Sequence, residues 1–140
     1  MNRKDIEYVT YLEPRLSTHG LGTYYIFGGS KRPSKEEREQ KFAEYREELL
    51  NSDLTLMSDL CEWLESAKRR QTINRGPGSY GLKHVAERLL GRYVSNGQLI
   101  CAAIHCGLRY MPTDYDSPNA YFNLSQVWVN QQHKLSKERV

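Results

Sequence analysis

The side chains able to do chemistry fall into three groups. Cys101, His105 and Cys106 form the first. Thiolates and an imidazole one helical turn apart are the right types for zinc, but a zinc site needs four ligands converging on one point. No CxxC pair supplies the others, and His84 is the only further histidine placed to help. With Cys61 the cysteines number three, without the pattern of a disulfide framework. They are expected to be small buried hydrophobes in a reducing cytosol. His84 and Glu87, three apart on one helix face, are the second group. That spacing suits an acid–base pair, and far more often it is two solvated helix residues. Neither group supports a catalytic or metal assignment, so the expectation is a non-enzymatic chain with no cofactor.

The third group is the bases. The formal charge is only +3, but it is unevenly spread. Between Glu36 and Glu65 ten carboxylates face three bases; between Lys68 and Arg109 eight bases face the single acid Glu87. The halves therefore carry −7 and +7. Such asymmetry calls either for an anionic partner on the basic half or for two halves that attract each other. Arg69, Arg70, Arg75, Lys83, Arg88 and Arg92 are the expected phosphate contacts. Gln98, His105 and Arg109 can read base edges, because they fall with Ser95 and Ala102 on one polar strip of the helix in "YVSNGQLICAAIHCGLRY". That helix follows "LKHVAERLL" and a short connector, a layout like a helix-turn-helix. Its opposite half, Leu99, Ile100, Ala103, Ile104 and Leu108, is that of a central core helix, and any packed helix pair has a polar outer strip. "GPGSYG" reads as a turn; with Arg75 its amides could also hold an anion at the next helix start. Tyr80, Tyr93, Tyr110, Tyr115 and Tyr121 interleave with the bases. That composition fits nucleic-acid stacking, interface hot spots and the wet edge of a core.

The elements that must position these residues are legible in outline. The length, 140 residues with 39% hydrophobic and 26% charged, fits one globular domain spanning 1–140. No apolar run approaches the roughly 18 residues of a membrane span, and no signal core follows MNRKDIEYV, so the expected location is cytoplasmic. Residues 1–33 read as an extended or two-stranded segment, with strands at Ile6–Leu12 and Thr23–Phe27. Residues 34–70 read as an acidic helical pair: Ser34 caps the first helix with Glu37 three residues on, the helix ends near Asn51, and a second runs through "DLTLMSDLCEWLESAKRR". "TINRGPGS" reads as a loop. Residues 79–110 form a basic helical pair, the first helix stopped by Gly91 and the second opened by a Ser95–Gln98 box. Residues 111–140 read as irregular, with "VWV" undecided between helix and strand. The expected fold is mainly α, with about four helices.

Thr72–Asn74, Ser79–His84, Glu87, Tyr93–Gly97, Ala102, Ala103, Gly107 and Ser117–Asn123 form a block that resembles one recurring in small bacterial proteins of plasmids, prophages and integrated elements. The block covers under half the chain and leaves out the first 65 residues. It lends no catalytic residues. It implies a mobile-element origin and a compact helical unit. The expected function is an accessory protein binding an anion, DNA first, through the basic half. The rival is a protein-interaction factor that inhibits or regulates a host or defence protein, engaged through the acidic helix Ser34–Asn51.

Overall fold

The computed structural model describes residues 1–22 and 33–139. The chain opens with α1 (Arg3–Leu12), not with a strand. The Asn2 side chain accepts the Asp5 N–H at 2.9 Å while the Asp5 carboxylate accepts the Asn2 N–H at 2.7 Å, a reciprocal cap that satisfies two orphan donors. Ile6, Val9 and Thr10 recur at helical steps and are buried. Tyr8 and Tyr11, whose β-propensity argues for a strand at Ile6–Leu12, face solvent instead, where propensity is a weak vote. Thr23–Phe27 lies outside the described residues. After α1 come a two-residue hairpin, β1 (Leu16–Ser17) and β2 (Gly20–Leu21), then α2 (Lys35–Leu50) and α3 (Leu54–Glu65). Ser34 and Asp53 cap these helices by accepting the N–H of Glu37 and Leu56. α3 stops at Glu65, short of the three bases expected to close it.

The larger correction concerns the chain beyond α3. Residues expected to finish one helix and form a loop are a strand, β3 (Arg69–Gly78). β4 (Tyr110–Pro112) and β5 (Ala120–Leu124) join it in an antiparallel sheet of order β3-β5-β4. The expected irregular C-terminus thus supplies two strands and a helix, α6 (Gln126–Glu138), capped by Ser125. "VWV" is helical, with Trp128 and Val129 buried. Among the described residues the chain forms six helices and two sheets, an α+β fold in place of the mainly α one. β3 disguises itself because its pairing slips on both sides of Asn74, so bulges replace strict alternation. Its Gly76-Pro77-Gly78 run is tolerated because the strand lies on the sheet's edge. Asn74 does the holding: its Nδ2 donates to Leu124 O at 3.1 Å and Gln126 Oε1 at 2.9 Å, and its Oδ1 accepts the Gly76 N–H.

α4 (Ser79–Leu90) and α5 (Asn96–His105) match the expected basic pair. Gly91 ends α4 in the left-handed region at φ 68°, and the Ser95–Gln98 box is formed. α5 is the spine of the core. It packs on α1, α3, α4 and both hairpin strands, and Leu99 through Ala103 are fully buried. Gly97 makes the hairpin contact possible. A Cβ there would lie 1.8 Å from Ser17 O, and the Gly97 N–H donates to Thr18 O at 3.0 Å.

Candidate nucleic-acid interface

The structure separates the expected phosphate contacts into two sets. Arg69 and Arg70 are exposed at the start of β3, beside exposed Lys68. Arg109, exposed in the turn between α5 and β4, lies against the same strand and donates from Nη1 to Gln71 O at 2.8 Å. Arg69 reaches the other way and donates to Cys106 O at 2.6 Å. His105 closes α5 at this turn and is exposed. The segments 69–71 and 105–109, distant in sequence, therefore lie side by side, bridged by the Arg69 and Arg109 side chains, whereas Arg70 donates along its own strand to Thr72 Oγ1 at 3.1 Å. Arg75 is exposed further along β3. Among the described residues none of these arginines pairs with a carboxylate. Main-chain carbonyls brace the Arg69 and Arg109 guanidiniums without cancelling their charge, which leaves them available to an anion.

Asn123, absent from the sequence-level site, ties the cluster together. It is buried in β5, its Nδ2 donates to Arg70 O at 3.0 Å, and its Oδ1 accepts the Arg109 N–H at 2.8 Å. One amide thus fixes the spacing of two arginine-bearing backbones. The signal available in sequence was a polar residue inside the apolar run "AYFNL".

The second set turns away from solvent or is neutralised. Lys83 is 6% exposed; its Nζ donates to Glu87 Oε1 at 2.9 Å and to Val94 O at 3.0 Å. Arg92 pairs with Asp59 at 2.8 Å and lies 3.8 Å from Asp53, so here the two charged halves of the chain meet. Gln98 spends its amide internally, accepting from the Ser95 N–H and donating to Ser52 Oγ at 3.2 Å. Ala102, expected on an outer strip, is fully buried. The helix-turn-helix-like arrangement fails on these grounds: α5 is enclosed, so it presents no reading face to a groove. Arg88 is exposed on α4.

The remaining reactive groups are held by hydrogen bonds and packing. Burial works to raise the Glu87 carboxyl, but hydrogen bonds from Lys83, the Val94 N–H and His84 together hold it below the usual carboxylate range. His84 Nδ1 lies 3.0 Å from Glu87 Oε2, so the pair forms part of a knot between α4 and the α4–α5 connector. Cys101 is buried and its thiol is pushed up to about 12. The Cys106 thiol is raised by its contact with Cys61 and by burial. Among the described residues no three His, Cys, Asp or Glu side chains come together as metal ligands, and no helix is long and apolar enough to cross a membrane. No family model matches the chain, and neither does any curated protein or solved structure.

Proposed function

We infer that the chain is a non-enzymatic accessory protein, of the bacterial mobile-element kind its sequence block resembles, that binds a nucleic-acid backbone through β3 and the α5–β4 turn. The observation that carries this reading is that exposed Arg69 and Arg109 reach across adjoining segments and are braced on main-chain oxygens, with Lys68 and Arg70 exposed next to Arg69 in sequence and none of the three arginines paired with a carboxylate among the described residues. A strand edge bearing arginines follows a phosphate backbone through point charges and bidentate forks, without base reading. Gln98 takes no part. The test is fluorescence anisotropy with a labelled oligonucleotide between about 50 and 200 mM salt. Replacing Arg69, Arg70 and Arg109 with alanine should weaken binding by about tenfold or more and reduce the salt slope by roughly 2 to 3, with the thermal midpoint nearly unchanged. Absence of salt-sensitive binding at the low end of that range would refute the reading.

A further inference from the structure

A cavity of about 560 Å³ opens where four segments meet. They are the β1–β2 turn (His19), the first turns of α4 (Tyr80, Lys83), the end of the α4–α5 connector with the first residue of α5 (Tyr93, Asn96) and the loop before β5 (Pro118, Asn119). Its size lies within the range of small-ligand sites.

The lining narrows the occupant. Tyr80 and Tyr93 stand at the rim, 55% and 73% exposed, and among the described residues their hydroxyls have no partner. The Lys83 ammonium sits 5.6 Å from the Tyr80 ring centroid and 4.8 Å from that of Tyr93. Because Glu87 and Val94 O already hold that ammonium, the wall offers no unmatched charge for a free phosphate or carboxylate. The floor is made of amides and other polar groups. Asn96, 7% exposed, donates to Pro118 O at 3.0 Å and to Asn119 Oδ1 at 3.1 Å. Among the described residues its Oδ1 is the one buried side-chain atom left without a hydrogen bond. The Asn119 side-chain N–H groups and the ring nitrogens of His19, whose ring stacks on Tyr45, are likewise unbonded among those residues. An aliphatic or phenyl group seated here would desolvate the Asn119 and His19 groups without compensation, while Asn96 Oδ1 is already shut off from solvent. A planar heteroaromatic ring with donors and acceptors on its edge stacks on tyrosine and satisfies the floor at once.

The approach to the cavity points the same way. β3 ends at Gly78 and α4 starts at Ser79, so Tyr80 follows directly on the arginine-bearing strand. A chain of phosphates that follows β3 toward its Gly78 end would run toward Tyr80. We propose that this cavity takes one unstacked nucleobase, so that the nucleic acid held by β3 is single-stranded. The proposal rests on the backbone-binding reading for the class of its partner. A duplex must first extrude a base to fill the site, and that cost separates the two forms.

The experiment compares one labelled oligonucleotide of about 15 nucleotides as a single strand and as a duplex, at equal salt. The single strand should bind about tenfold tighter, and Y80A/Y93A should remove that preference while leaving the salt slope intact. Y80F/Y93F, which keeps the rings, should retain it. A readout independent of that variant's folding is adenosine monophosphate titrated into the ¹⁵N-labelled wild-type chain, with shifts expected at the Asn96 and Asn119 side-chain amides. Equal affinity for both forms, or no amide shifts at millimolar nucleotide, overturns the nucleobase slot. If salt-dependent binding survives in that case, the backbone reading stands without it.

Discussion

α5 and β3 both belong to the basic half of the sequence and both carry polar side chains, yet they do opposite things with them. On α5 the Ser95 and Gln98 groups bond to each other's backbone and to Ser52, and Ala102 is walled in. On β3 the Arg69, Arg70 and Arg75 side chains face solvent, and it is the backbone beneath that is tied down, by Asn74 and Asn123. Polar residues in a sequence pattern therefore signal two different things. On an enclosed element they complete its capping and packing; on an edge they stay exposed.

The sharpest way to break this contrast is Gly97→Ala. Its Cβ would overlap Ser17 O, a backbone atom that cannot rotate aside. The expected loss is about 3 kcal/mol, measured by urea unfolding, and a loss below about 1 kcal/mol would mean the hairpin seat is loose. Next comes Lys83→Met, which strands Glu87 and Val94 O. It should cost roughly 3 kcal/mol in stability, with the salt slope of oligonucleotide binding unmoved. A slope lowered by about one would return Lys83 to the phosphate contacts. Gln98→Ala should cost about 1 kcal/mol and leave sequence preference alone, whereas Arg70→Ala should do the reverse, weakening binding without moving the unfolding midpoint. The smallest effect is a pH trend. Burial pushes the Glu13 carboxyl up, but hydrogen bonds from Arg15 and Tyr110 outweigh it and hold the carboxyl low, and Glu87 behaves alike. Folding lowers both values, so the folded chain binds fewer protons than the unfolded one. Their contribution is complete above the ordinary 4.5 and drains away as pH falls through the lowered values. Acid titration of the E13Q chain should show a shallower loss below that pH.

Local signals with a fixed geometry were readable in advance. The Ser34 cap, the Ser95–Gln98 box and the Gly91 stop all sit where the sequence puts them. What stayed hidden depends on partners distant in sequence. β3 is a strand because Leu124 and Phe122 pair with it from far along the chain, and its glycines and proline, judged locally, favour a turn. α1 escapes for a different reason: the Asn2–Asp5 cap is present, but the Tyr, Val, Ile and Thr content of the segment reads as a strand. Of the proposed site, Arg69 and Arg70 are named in the sequence as phosphate contacts and Arg109 as a base reader, but the convergence of their segments is not legible there. That convergence depends on Asn123 and on the antiparallel return of β5, which no local pattern encodes. The seclusion of Lys83 and Gln98 escaped for the same reason, since burial is decided by the elements that close over a helix.

The bond from Gly97 N–H to Thr18 O carries a consequence for how the molecule opens. An amide at the first turn of a helix ordinarily exchanges its proton with solvent early, because nothing within the helix protects it. Here the acceptor belongs to the hairpin, so that proton is released only when hairpin and spine part. Deuterium uptake at this single amide should therefore track the parting of hairpin and spine, and be slower than at amides in the exposed first turn of α2.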